Sequence, residues 1–190
     1  MKLATKRKIR LLKILHQDQW VIGSVVDVSL NNGKKIKNFL MVKERGPGWV
    51  SVCARTSDGK FLLVQQCKPA AGFSFEAIAG GKKTKESWGK AAIREMIEEV
   101  RFEPKKLLLV GNRQLGIFTQ TDRIVSRARL FLAFGCKRSN KRYRGDEKQG
   151  VKPILLTPEK TLKLIKTGKI RDMTTIVGIF AHLLHEKGVL

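Results

Sequence analysis

Glu95, Glu98 and Glu99 stand at spacing i, i+3 and i+4. On a helix that spacing projects three carboxylates from nearly one face within a single turn. Left alone, such a group repels itself. The chain has only 16 Asp and Glu against 39 Lys and Arg, so concentrating acids here suits a hard divalent cation. Magnesium takes oxygen ligands and completes its shell with water and substrate phosphates. Taken by themselves, the carboxylates are explained equally well as a solvated acidic face paired with Arg94 and Lys90.

The element that must carry them is a helix, with Thr84 as its expected N-cap and its end near Val100. Trp88, Ala92 and Met96 form an apolar stripe along one side of it. Before it, two β-hairpins are expected. Trp20 to Leu30 and Lys35 to Val42 flank Asn31-Asn32-Gly33, and Trp49 to Ala54 and Phe61 to Gln66 flank Ser57-Asp58-Gly59. After it, Leu107 to Val110 and Arg129 to Phe134 read as strands separated by the polar segment Thr119 to Arg123. Lys137 to Gly150 reads as a charged loop. Thr157-Pro158-Glu159 is a helix start, with a capping hydroxyl, proline at the first helical position and an acid in the first turn; this helix should stop near Gly168. A last helix, Met173 to Glu186, carries Ile176, Phe180 and Leu183 as an apolar stripe.

Composition bounds the function. The 190 residues suit one domain with a small appended element, and no run of about 18 uncharged apolar residues could span a bilayer. The basic N-terminus lacks the continuous apolar core of a signal peptide, so a soluble, cytoplasmic protein with no membrane partner is expected. Cys53, Cys67 and Cys136 are odd in number and without metal-ligand spacing, which argues against a disulfide framework or a zinc site. His182 and His185 sit at helical spacing without a third ligand, so packing or a surface role is expected. The formal charge of +23 calls for a polyanion: phosphorylated substrates, or nucleic acid bound nonspecifically. Its densest run is Lys137 to Arg144.

The spacing extends well beyond three glutamates. Gly80, five residues, Glu86, seven residues, then Arg94-Glu95-Met96-Ile97-Glu98-Glu99-Val100-Arg101-Phe102 resembles the Nudix box, with Arg101 in place of its usual glycine. The resemblance reaches further, toward the ADP-ribose and nucleoside-diphosphate-sugar pyrophosphatase branch. Phe61 to Pro69 looks like that branch's strand ending in an Arg-Pro turn, with Lys68 at the arginine. Phe75 to Gly80 resembles its Glu-x-Pro-Ala-Gly segment, with Ile78 at the proline. Gly168 to Asp172, followed by Thr174-Thr175-Ile176, is similar to its closing turn and final helix.

What the resemblance implies is specific. The fold would be α+β, a Nudix α/β/α sandwich with a mixed sheet plus an N-terminal β-hairpin region; residues 1–45 would form the N-terminal part, with a dimerising role, and 46–190 the hydrolase domain. Ala79 through its carbonyl, with Glu95, Glu98 and Glu99, would hold magnesium, or manganese in its place. Gly80, Glu86 and Arg94 would brace the loop and helix. Glu147, in an acidic loop, would be the general base, with Glu98 of the box as the alternative. Lys68 would contact a phosphate, Glu76 would be a polar substrate contact, and Trp20 or Trp49 would stack a base, core packing being the plainer role for either tryptophan. The activity implied is hydrolysis of nucleoside-diphosphate sugars, ADP-ribose among them, to a nucleoside monophosphate and a sugar phosphate by a homodimer. Two rivals share the box: a Nudix hydrolase of RNA caps or dinucleoside polyphosphates, and a non-catalytic module binding nucleic acid.

Overall fold

The computed structural model describes residues 7–112, 116–117, 123–141 and 151–190. In chain order these form β1 (Lys8–Gln17), β2 (Val21–Ser29), β3 (Lys35–Glu44), β4 (Trp49–Thr56), β5 (Phe61–Lys68), β6 (Gly72–Glu76), β7 (Ile78–Gly81), α1 (Trp88–Val100), β8 (Phe102–Glu103), β9 (Lys106–Val110), β10 (Ile124–Val125), β11 (Ala128–Arg138), β12 (Lys152–Leu156), α2 (Pro158–Lys166) and α3 (Met173–Glu186). They divide into two compact units, Met1–Gly48 with Phe118–Arg127, and Trp49–Ile117 with Ala128–Leu190. No helix among the described residues is long and apolar enough to cross a membrane.

The first unit is a sheet of order β1-β2-β3-β10. β2 and β3 pair antiparallel from Val21 opposite Glu44 to Ser29 opposite Lys35, the hairpin expected from Asn31-Asn32-Gly33. Gly33 takes φ +79° in that turn, where a side chain would be strained. β1 was not expected as a strand. Its register with β2 shifts between Leu11 and Lys13 and again between Ile14 and His16, and each bulge breaks the two-residue period by which a strand is read.

The second unit is an α/β/α sandwich. Its mixed sheet runs β12-β5-β4-β11-β8, with β6 on β5, β7 on β4 and β9 on β11. β4 is parallel to β11 and antiparallel to β5 and β7. Because both faces are covered, β4 is buried along most of its length. Val50, Val52 and Ala54 pack with Ala92, Met96 and Val100 of α1, while Cys53 packs with Phe61, Leu63 and Ile179 on the α3 side. Each such side chain of leucine size, fully buried, contributes roughly 1.5–3 kcal/mol.

Several boundaries differ from the sequence reading, each for a physical reason. α1 is capped by Ser87, whose hydroxyl accepts the Lys90 N–H at 3.3 Å, and Thr84 lies outside the helix. The segment before Ser87 turns tightly, Glu86 N–H to Lys83 O at 3.2 Å, which places Glu86 for other partners. Lys137 and Arg138 belong to β11, paired with Glu103 and Phe102, so the expected loop begins later. α2 is capped by Thr157 with Pro158 at its start, and α3 spans the expected residues. The buried face of α3, however, is Thr175, Gly178, Ile179 and His182, and Phe180 is 46% exposed. Gly178 sets that phase: a Cβ there would lie 2.6 Å from the Cβ of Cys53, so the helix seats its smallest residue on the sheet.

His182 is fully buried between Phe61 and Phe134, ring centroids 5.8 and 4.6 Å away, and its Nε2 lies 2.8 Å from the Cys53 carbonyl. An acceptor there requires the proton on Nε2, which leaves Nδ1 buried without a partner. Burial lowers this imidazole's pKa to about 4. The unfolded chain, with an ordinary histidine, therefore binds the proton first. Stability from the neutral ring is complete above about pH 6.5 and falls as pH drops toward 4, by on the order of 3 kcal/mol. Urea unfolding from pH 7.5 to 4 should show this slope in the wild type, and His182→Gln, less stable at pH 7.5, should lose much of it.

Candidate active site

Arg94 organises the site. It is 6% exposed, and each of its five N–H donors has a partner. Nε and Nη2 bind the two oxygens of Glu86 at 2.8 and 3.0 Å, a bidentate pair, and Nη2 also donates to the Gly81 carbonyl at 2.8 Å. Nη1 donates to Glu95 at 2.7 Å and to Glu98 at 2.8 Å. Glu86 accepts in addition the Lys83 N–H at 3.1 Å. Hydrogen bonds from Arg94 hold the Glu86 carboxyl below the usual carboxylate range, and those with Glu86, Glu95 and Glu98 drive the guanidinium's pKa further up.

β7 supplies the floor. Ala79 and Gly80 lie opposite Ser51 and Val50 of β4. A Cβ at residue 80 would fall 2.0 Å from Cδ of Glu95 and 2.1 Å from both its oxygens, so only glycine leaves room for that carboxylate. The Ala79 N–H donates to Glu99 at 3.4 Å. Glu95 and Glu99 thus lie along consecutive residues of β7, and Glu98 is turned to Arg94.

Three carboxylates, Glu86, Glu95 and Glu98, bind one guanidinium, and Glu99 lies nearby against β7, which leaves negative charge in excess. Among the described residues no three Asp, Glu, His or Cys side chains converge as a ready metal cage, because Glu95 and Glu98 share Arg94. The donor chemistry nevertheless fits a hard divalent cation: the groups are all oxygen, and Glu95 and Glu99 already lie side by side against β7.

The other expected residues are more scattered. Glu76, on β6, accepts from Gln66 Nε2 at 2.8 Å. Lys68 is exposed at the end of β5, opposite Gly72. Trp49 is half-buried at the start of β4, and Trp20 is 70% exposed in the other unit. Glu147 lies outside the described residues. Arg101 takes the left-handed conformation that glycine would adopt, φ 58° and ψ 39°, with its N–H returned to Ile97 and Met96, so the helix end keeps its shape.

Sequence reasoning missed the residues that hold this floor in place. Asp172 caps α3 and accepts from Thr175 N–H, Thr175 Oγ1 and Thr174 Oγ1, all at 2.6–2.7 Å. Thr175 Oγ1 in turn accepts the Ala77 N–H at 2.8 Å, and Ser51 donates to Thr174 at 3.1 Å. The strand leading into Ala79 and Gly80 is therefore fixed from the opposite layer. Arg171 donates to the carbonyls of Ala71 and Phe73, bracing the turn after Lys68. The cap was legible as Asp followed by two threonines; its partner 98 residues away was not.

The profile of the NUDIX domain family matches residues 44–174, and the chain belongs to that family. It is a Nudix hydrolase, a class that generally uses divalent metal ions. Among its relatives is the ADP-ribose pyrophosphatase of Bacillus subtilis (strain 168), 28% identical over 173 residues, which cover 88% of this chain and 90% of the relative. Another is the methanol dehydrogenase activator of Bacillus methanolicus, 30% identical over 175 residues with the same coverage. The crystal structure of an ADP compounds hydrolase shares the fold, with a TM-score of 0.73 and 17% identity across 97% of both chains.

The overlap at Gly80 yields a test. Gly80→Ala should fold, because the added methyl meets the end of a flexible side chain, but it should displace Glu95. Binding of Mn2+, followed by electron paramagnetic resonance, should weaken at least tenfold; wild-type affinity would contradict the placement of Glu95.

Proposed function

We propose that this Nudix hydrolase cleaves the diphosphate of nucleoside-diphosphate sugars, ADP-ribose first among them, in a magnesium-dependent reaction releasing a nucleoside monophosphate and a sugar phosphate. The observation that carries the reading is the clustering of Glu95, Glu98 and Glu99 around Arg94 and β7, in a chain that aligns over most of its length with an ADP-ribose pyrophosphatase.

Glu95, Glu98, Glu99 and the Ala79 carbonyl would hold the metal, with manganese able to replace magnesium. Bound there, it would offset the diphosphate charge and acidify water. Glu147 accepts the proton of the attacking water, with Glu98 as the alternative base. The water oxygen forms a bond to one phosphorus as the bridging P–O bond breaks, and the other phosphate leaves with that bond's electrons. Lys68, exposed at the end of its strand, meets a phosphate as a point charge. Glu76 gives a polar contact to the substrate, and Trp20 stacks on the base. Gly80, Glu86 and Arg94 position the machinery.

The N-terminal sheet serves for dimerisation in this reading, residues 1–45 forming that part and 46–190 the hydrolase. Ile9, Leu11, Ile14 and Ile36 are exposed on the side of the sheet that carries Val26 and Val28, a surface suited to a second copy. Sedimentation should give twice the 21.4 kDa chain mass, and Leu11→Asp with Ile14→Asp should give one chain; a wild-type monomer would exclude the dimer. The cytoplasm is the proposed location, a reducing compartment suited to three unbridged cysteines.

Monophosphate release should be measured with ADP-ribose, other nucleoside-diphosphate sugars, dinucleoside polyphosphates and capped RNA. Turnover of the diphosphate sugars should require magnesium and fall at least a hundredfold in Glu99→Gln. Cleavage confined to capped RNA or dinucleotides would replace the substrate class, and no turnover at all would exclude catalysis.

A further inference from the structure

The catalytic reading leaves most of the +23 charge unassigned, and the first unit arranges part of it. In the antiparallel register Lys8 lies opposite Ser29, Arg10 opposite Asp27, Lys13 opposite Val25 and His16 opposite Gly23. Paired residues share a face, so these four basic side chains lie on one side of the sheet. Lys35, opposite Ser29 on the other flank of β2, joins them. The opposite side takes Ile9, Leu11 and Ile14, opposite Val28, Val26 and Ser24.

This sorting depends on the bulges at Leu12 and Leu15. Strict alternation from Lys8 would send Lys13 to the apolar side. Each bulge inserts one residue and resets the phase, so a row of cations results from a sequence whose spacing does not alternate. Lysines on an edge strand also deter unwanted strand pairing, but that role does not require two bulges to bring the cations onto one face.

The row is available to a ligand. Among the described residues, no carboxylate stands within ion-pairing distance of Lys8, Arg10, Lys13 or Lys35. His16 is paired with Asp18 at 3.2 Å. Two acids lie on this face: Asp27 accepts the Asn38 N–H at 3.2 Å, and Glu44, opposite Val21, accepts the Ser126 hydroxyl at 2.6 Å. Backbone N–H groups of Val21 and Trp20 hold Asp18 at a pKa of about 2.

We propose that this basic face of the N-terminal sheet binds the phosphodiester backbone of duplex nucleic acid, independently of the hydrolase site. Complementary charge selects a polyanion. The duplex is favoured because the described strand residues of this face include no Phe, Tyr or Trp, and its one imidazole, His16, is engaged by Asp18; Phe39 lies opposite Val26, on the apolar side. A face without a stacking platform reads phosphates and not unstacked bases.

The test is fluorescence anisotropy with a labelled 20-base-pair DNA duplex of arbitrary sequence, at salt from about 50 to 200 mM. Three proteins are compared: the wild type, K8Q/R10Q/K13Q/K35Q, and K160Q/K163Q/K166Q/K169Q, which removes the same charge from exposed lysines in and beside α2. Each neutralised phosphate contributes about 0.9 to the slope of log affinity against log salt. The sheet variant should bind at least tenfold more weakly at low salt, with its slope reduced by about 3 to 4, while the α2 variant changes its slope by less than about 1. Both variants should hydrolyse nucleotide sugar as the wild type does, which confirms their folding. In the wild type, the duplex should also protect Lys8, Lys13 and Lys35 from acetylation, a measurement that needs no variant. Equal losses in the two variants, no protection, or binding to phosphatidylserine vesicles but not to the duplex would overturn the proposal.

Discussion

One buried guanidinium sits among three carboxylates, and the box is built around that arrangement. Arg94 spends all five donors on Glu86, Glu95, Glu98 and the Gly81 carbonyl. Four of the chain's 16 acids fall between Glu86 and Glu99, and so dense a group of carboxylates would be unfavourable without a cation among them. Lysine could not replace this arginine: it offers three donors from a single point, whereas the planar fork meets Glu86 with two parallel bonds and still reaches the helix face. The same fork explains the late start of α1, since Glu86 must remain in the loop to meet it.

The second constraint comes from the opposite layer. Asp172, Thr174 and Thr175 form a small polar network at the start of α3 that reaches Ser51 of the central strand β4 and the amide of Ala77. Its donors and acceptors match, so the buried groups stabilise the strand and do not weaken it. Gly178 then lets α3 lie close on Cys53. The strand carrying Ala79 and Gly80 is thereby held from both sides, by α1 and its carboxylates on one and by α3 on the other. A site required to place charge with sub-ångström tolerance benefits from rigid elements of this kind.

The central helix, the two hairpins and α3 were readable because their signals are local: helical spacing of apolar and acidic residues, a turn-forming Asn-Gly or Asp-Gly, a capping hydroxyl before proline. The box itself was readable because one helix turn dictates the spacing of its glutamates. Features decided by distant partners were not. Thr84 and Ser87 are both good caps, and the choice between them is made by Arg94 seizing Glu86. Phe180 fits an apolar stripe as well as Ile179 does until Cys53 selects Gly178 for the contact. β1 escaped notice because its bulges destroy the alternation that identifies a strand, and β6 and β7 because they are short pieces whose pairing with β5 and β4 is tertiary.

In the proposed reaction Glu95, Glu98 and Glu99 gather a divalent cation against β7, and Glu98 leaves Arg94 to do so. Crystals grown with manganese and a non-hydrolysable ADP-ribose analogue, measured at the manganese absorption edge, test it most directly. The predicted result is an anomalous peak about 2.1 Å from oxygens of Glu95, Glu98 and Glu99 and from the Ala79 carbonyl, with Glu98 released from Arg94. A bound analogue with no manganese at these groups, or with Arg94 still holding both Glu95 and Glu98, would contradict it.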